Sequence, residues 1–547
     1  MSSTWLILSS VLFFLIAYFT YATRLTKKWG INNNQITPAH AKEDGIDYVP
    51  AKKPILLGHH FASIAGAAPI IGPVTASAFG WLPVFAWIVI GGIFIGGVHD
   101  MGSIFSSVRH GGRSIAEVIN NTMGRSGKQL FSIFAWLTLI LVIAAFMNVT
   151  ADAFVSTPEA ATASVLFIAV ALLFGIVRQR TNLSLPALSV IGVALLFACI
   201  WFGINNPLVL EANTWNLIFV VYIFIASVTP VWILLQPRDY LNSFLLYGIL
   251  IGSFIGIIIG GPAIEIEAFT GFQTDLGYMF PILFVTVACG AISGFHSLVS
   301  SGTTSKQLDK ESDAKMIGYG GMLIECVLAV IALIAASVIT SGQSAELLAE
   351  GGPVLLFAHG VGGFLNNFGI PTDIGIIFGS LTVAAFAMTT LDTATRLARF
   401  IFQEYFIPEE EEVTAESSNI LGNMFVATGI TVAISAALAI SGAWQEIWPI
   451  FGSANQMLAA LALTSLAVWL ASRGIKNMHV IIPMIFMFAV TLVALIFVVK
   501  DNIVAANFIL AGLGAILFVL AIVLAKMALG LLSPSETAQE VQEDSAI

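Results

Sequence analysis

The chain is short of charge and of cysteine, and neither sign of charge forms a long run. Only 10% of its 547 residues are Asp, Glu, Lys or Arg, against 58% hydrophobic. Soluble domains carry roughly 25% charged residues, so that class is excluded. No basic run offers a footprint for nucleic acid. The net charge of −10 carries little information, because the acidic excess lies in loops and in a tail from Ser533 that reads as disordered. Cys199, Cys289 and Cys326 sit inside apolar runs without metal-ligand spacing. They predict packing, with no disulfide and no metal site. The first apolar run has no basic residue before it and no small-residue cleavage site after it, so it reads as an anchor and not as a signal peptide.

What the chain has is apolar runs that can cross ~30 Å of hydrocarbon. Fifteen are expected, near 4–22, 58–79, 83–106, 129–149, 160–177, 185–204, 215–236, 241–261, 279–301, 316–340, 374–396, 418–442, 447–472, 478–499 and 505–530. A run at 353–367 is too short and reads as a re-entrant or interfacial piece. Alternating the loops places 21 of 22 basic residues on one side, with Lys500 opposite. The positive-inside rule then predicts a cell-membrane protein with its amino terminus outside and its carboxyl terminus in the cytoplasm.

Two runs are irregular. The stretch 58–73, GHHFASIAGAAPIIGP, combines histidines, glycines and prolines. Pro69 and Pro73 remove backbone donors, and freed backbone survives in lipid only where protein or a watery cavity satisfies it. The stretch 224–240, FIASVTPVWILLQPRDY, is interrupted at Pro230 after Ser227 and Thr229. It follows five spans later in the opposite direction, which predicts an inverted repeat with a central site. The expected fold is therefore all-α and polytopic, about 15 transmembrane helices around an inverted five-helix repeat. Residues 1–57 form an anchor helix and loop, 58–400 the transport core, 401–532 a carboxyl-terminal bundle and 533–547 the tail.

Candidate site residues follow from depth. Asp100 lies nine residues before Arg109, His296 ten before Lys306 and Glu325 ten after Lys315. At 1.5 Å per residue, all three fall ~13–15 Å inside the basic face, where an ionisable group needs a partner or a cavity. Gly92, Gly96, Asp100 and Ser103 share one helical face, and His99 points about a quarter-turn away. Ser293, Ser297, Ser300, Ser301 and Thr304 form a hydroxyl stripe beside His296, suited to a small cation or to interhelical bonding. His59, His60, Gly66, Ala67 and Pro69 line the first break, and Ser227, Thr229 and Pro230 the second. Helix ends at 66–69 and 228–230 are expected to offer amides to a carboxylate. Thr389 and Thr390 complete the cavity. Asp392 and Arg396, at i, i+4, predict an ion pair at the basic boundary, with an inner gate as its functional reading. Asn455 and Gln456 are read as structural ties.

Several blocks resemble one family. ITPAHAKEDGIDYVP and GHHFASIAGAAPIIGP, GGIFIGGVHDMGSIFSSVRHGGRSIAEV from Gly91, AMTTLDTATRLAR and WPIFGSANQMLAALAL are similar to the ordered blocks of the carbon starvation protein A family, over roughly 36 to 470. The resemblance implies an inner-membrane transporter of peptides or pyruvate, coupled to protons, related to the amino acid–polyamine–organocation (APC, LeuT-like) superfamily. The chain looks like the family's shorter form. No enzyme activity and no cofactor are implied. The expected partners are a small substrate and the lipid bilayer, with a proton as coupling ion and sodium as the alternative. A passive channel and a nutrient sensor are the competing readings. A haem protein is disfavoured, because adjacent His59 and His60 point ~100° apart.

Overall fold

A computed structural model describes residues 2–44, 48–230, 233–407, 419–441 and 444–532. The tail from Ser533 lies outside the described residues. In chain order the helices are α1 (Ser3–Trp29), α2 (Lys53–Ile64), α3 (Ala68–Ala76), α4 (Trp81–Arg109), α5 (Ile115–Ser156), α6 (Pro158–Arg180), α7 (Leu185–Asn205), α8 (Ala212–Val228) and α9 (Leu235–Gly260). A two-stranded hairpin, Gln273–Thr274 with Gly277–Tyr278, leads into α10 (Met279–Thr286) and α11 (Gly294–Gly302). Then come α12 (Glu311–Ser337), α13 (Ser341–Asn366), α14 (Thr372–Phe406), α15 (Met424–Ser441), α16 (Trp444–Ser472), α17 (Met478–Val504) and α18 (Phe508–Leu532).

Among the described residues thirteen helices are long and apolar enough to cross a membrane, and the bent pair α2/α3 makes a fourteenth. α13 passes on length, yet it turns at Gly351 and Gly352. Gly351 packs on Ser156 at the end of α5, and Asn367 donates to the Gly256 carbonyl at 3.0 Å near the end of α9. Both ends of the segment 351–367 thus lie at one face, as the short run at 353–367 predicts. Setting α13 aside and adding the 17-residue α8 and the divided α10/α11 gives the fifteen crossings. Large apolar side chains such as Trp5, Trp201, Val221, Ile482 and Phe508 are exposed, as a lipid-facing surface requires.

Two crossings are divided. α2 stops at Ile64 and α3 resumes at Ala68, bent by 49°. Pro69 supports the break, because it cannot donate into the preceding turn. The second divided crossing is α10/α11, parted at 287–293. At one end the Ala51 amide reaches the Gln307 carbonyl at 3.0 Å, and at the other the Trp81 amide reaches Glu267 at 3.2 Å. The two therefore run antiparallel. They touch midway: a Cβ on Gly72 would come 3.2 Å from the Cα of Val287.

This corrects the position of the second break. Pro230 does not divide a crossing; α8 ends at Val228 and a separate helix, α9, begins at Leu235. Thr229 is extended, as a residue before proline prefers. Six crossings, not the four implied by proline placement, separate the divided ones. The true second break is marked by Gly290, Ser293 and Gly294, without any proline.

The small-residue face of α4 lies where it was expected. Gly92 abuts Cys326 and Gly96 abuts the Ala291 carbonyl, and a Cβ on Gly318 would stand 2.7 Å from the Cα of Met101. Backbone cannot yield as a side chain can. Gly318→Leu should therefore cost at least ~1–3 kcal/mol by overpacking and lower the melting temperature of purified protein, whereas Gly363→Ala, with nothing within 4 Å, should leave it unchanged.

Candidate functional site

The α4–α12 approach at Gly318 brings Asp100 and Glu325 to the same interior, and the restart of α11 at Gly294 places His296 in its first turn. His296 Nδ1 lies 2.8 Å from Asp100 Oδ2, and its Nε2 lies 3.5 Å from Glu325 Oε2. The three residues predicted to share a depth thus meet. His99 joins them, its Nδ1 2.7 Å from Asp100 Oδ1. The quarter-turn expectation is corrected here, because the imidazole swings onto its neighbour's carboxylate. All four side chains are 0% exposed. Asp100 is bonded to both imidazoles, whereas neither Glu325 oxygen has a hydrogen-bond partner among the described residues, and the imidazole of His296 stands between the two carboxylates.

These groups are sealed from solvent in this conformation. His60 Nδ1 meets Thr304 Oγ1 at 2.8 Å, while His59 is half-buried on a different face of α2. Gly66 is pressed against the Thr390 side chain of α14. Pro69 has no amide, and the Ile70 and Ile71 amides are taken by the Ala67 carbonyl at 3.1 and 3.0 Å.

At 228–230 the expectation fails on polarity. This is a helix carboxyl end, which presents carbonyls and not amides. Arg396 donates to the carbonyls of Ala226 (3.0 Å) and Thr229, and Arg399 to that of Ser227 at 3.0 Å. Thr229 bonds its own helix at Ile225, and Pro230 is exposed, so neither lines a central site. Asp392 turns to Arg238 of α9 and accepts from Tyr222 at 2.7 Å, in place of an i, i+4 pair with Arg396. Arg238 and Asp239 escaped the sequence reading because they follow Pro237 and look like loop residues. Their signal was that α9 restarts before them.

The hydroxyl stripe is largely engaged. Ser297 donates to Gly294 at 2.7 Å, Ser301 donates to Ser297 at 2.7 Å, and Ser301 also accepts the Ile115 amide at 2.9 Å. Ser300 has no partner among the described residues. Thr389 accepts from Asn242 at 2.8 Å. Asn455 of α16 caps the second break: its Oδ1 accepts the Phe295 amide at 2.8 Å and its Nδ2 donates to Ser293 at 3.0 Å. Gln456 donates to the Phe284 carbonyl on the other side. α16, assigned to an outer bundle, thus reaches the centre.

The basic face is latched. Arg109 grips Glu311 through two bonds of 2.5 and 2.8 Å, the Asn32 amide adds a third at 2.9 Å, and Lys53 meets Asp313 at 2.5 Å. These contacts tie the entry of α2, the end of α4 and the start of α12.

Divided antiparallel crossings packed around buried ionisable groups define a helical membrane protein of transporter architecture. A solved mutant of the manganese transporter of Eremococcus coleocola shares this fold, with a TM-score of 0.54 at 12% identity over 89% of this chain and 99% of that one. The family model for carbon starvation protein CstA matches residues 2–350 and 341–494. The peptide transporter CstA of Bacillus subtilis is 33% identical over 85% of this chain and 84% of its own. The pyruvate/proton symporter BtsT of Escherichia coli is 32% identical over 84% of this chain and 76% of its own. The chain belongs to the CstA family.

Removing the cap tests the second break. Asn455→Ala should leave the Phe295 amide unpaired at a cost of ~1–3 kcal/mol. The expected result is a lower melting temperature in detergent together with faster hydrogen exchange at 287–296.

Proposed function

We propose that this protein is a proton-coupled secondary transporter that imports small carboxylate-bearing nutrients, of the peptide or pyruvate class, by alternating access. One observation carries the reading: a sealed Asp100–His99–His296–Glu325 cluster stands between two divided, antiparallel crossings. The names of the relatives, a peptide transporter and a pyruvate/proton symporter, support it. The bias of basic residues supports a multi-pass place in the cytoplasmic membrane, with the carboxyl terminus inside.

The cluster supplies a proton site whose occupancy alters packing. Ionised Asp100 accepts bonds from both imidazoles and so ties α4 to α11. Protonation removes its charge and weakens the charge-assisted bonds. The two helices are then free to shift about the breaks at 65–67 and 287–293. On the basic face, the Arg109–Glu311 and Lys53–Asp313 contacts would part when the carrier opens inward and re-form when it opens outward. Proton and substrate cross together, so a carrier with a neutralised cluster should exchange substrate yet fail to concentrate it.

Each pH unit supplies ~1.4 kcal/mol per proton, or about tenfold accumulation. Uptake into proteoliposomes should therefore rise as the external pH falls and vanish with a protonophore. Asp100→Asn should lose this accumulation while keeping counterflow within about threefold. Concentrative uptake by Asp100→Asn would remove that residue from the coupling role. Uptake driven by a sodium gradient alone would replace the proton. Equilibration without accumulation in the wild type would mark a channel, and binding without movement a sensor.

A further inference from the structure

Apart from the Asp100 cluster, a second ion group lies sealed between α8, α9 and α14. Arg238, 1% exposed in the first turn of α9, reaches Asp392, the Tyr222 hydroxyl at 2.5 Å and Asp239 at 3.2 Å. Two carboxylates face one guanidinium, so the group carries a formal charge of −1. Four buried polar atoms on α9 and α14 have no partner among the described residues: Arg238 Nε, Asp392 Oδ1, Asn242 Oδ1 and Thr390 Oγ1. Asn242 stands one turn beyond Arg238 and is bonded to Thr389, and Thr390 is the side chain pressed against Gly66 at the first break.

Simple interhelical ties would pair these atoms off, since each buried unpaired group is costly. Their arrangement suits a ligand that carries both signs of charge. A monocarboxylate would raise the buried charge of the group to −2, whereas a zwitterion leaves it unchanged. A guanidinium also matches a carboxylate in a planar, two-bond fit.

We infer that Arg238, Asp239 and Asp392 form the substrate subsite, and that it selects a free-ended zwitterion such as a short peptide over a plain monocarboxylate. The substrate carboxylate exchanges with Asp392 on Arg238. Asp392 and Asp239 then take the ammonium, and Asn242 and Thr390 meet the peptide group beside the break. This rests on the carrier reading above and narrows its substrate class.

The test uses the full chain in proteoliposomes with labelled dialanine, challenged by unlabelled dialanine, dialanine amide, N-acetyl-dialanine and pyruvate. Removing either end charge should weaken competition at least ~tenfold, because a site built for a polar group rejects the analogue lacking it. Pyruvate should compete no better than those analogues. The charge-neutral variant Arg238→Gln/Asp392→Asn should lose the preference for free acid over amide, to within about twofold. If the amide competes as well as dialanine, if pyruvate is taken up in preference, or if the double variant keeps the full preference, the subsite is overturned while the carrier reading stands. If the wild type moves none of the probes, both fall. Should the double variant not fold, the wild-type competition series decides alone.

Discussion

Hydrocarbon offers no water to a backbone group released from a helix, and that constraint organises the centre of this protein. Each broken crossing needs protein atoms to receive its freed amides and carbonyls. At the second break Asn455 and Gln456 reach across from α16, one to the Phe295 amide and one to the Phe284 carbonyl. At the end of α8 the same need is met by the guanidinium groups of Arg396 and Arg399. At the first break the Ala67 carbonyl collects the Ile70 and Ile71 amides. Helices distant in sequence are in this way committed to particular neighbours, and the side chains near those contacts inherit fixed positions.

Charge follows the same logic. In the two buried ion groups the aspartates each meet a cation or an imidazole: Asp100 two histidines, Asp392 and Asp239 one arginine. Glu325 has the weakest contact, 3.5 Å from His296. Breaking such a pair leaves a buried charge uncompensated, so each is a point where protonation or ligand binding has structural consequences. The two groups lie on different sets of helices, the Asp100 cluster on α4, α11 and α12, the Arg238 group on α8, α9 and α14. That division suits separate handling of a proton and a solute.

Much of the fold was legible along the chain. Apolar length marked the crossings, and the distance of a polar residue from the nearest Lys or Arg marked its depth, because a helix rises by a constant amount per residue. That is why Asp100, His296 and Glu325 were seen to share a level before any contact was known. The small face of α4 was readable for the same reason. Proline proved a weaker guide. Pro230 ended a helix at the surface, whereas the break that matters, at 287–293, is made by glycine and serine, whose effect depends on whether a neighbour supplies a cap. The interior Arg238 was missed because hydropathy places a charged residue after a proline in a loop.

The order of residues by itself determined where the apolar crossings lie and how deep Asp100, His296 and Glu325 sit, since these depend only on local apolarity and helical rise. Only the tertiary structure decided which groups face each other. His296 meeting Asp100, Arg238 taking Asp392, Asn455 capping α11 and Gly66 resting on Thr390 are contacts between segments up to 324 residues apart. No local pattern encodes them, because each exists only where packing has already excluded every other partner.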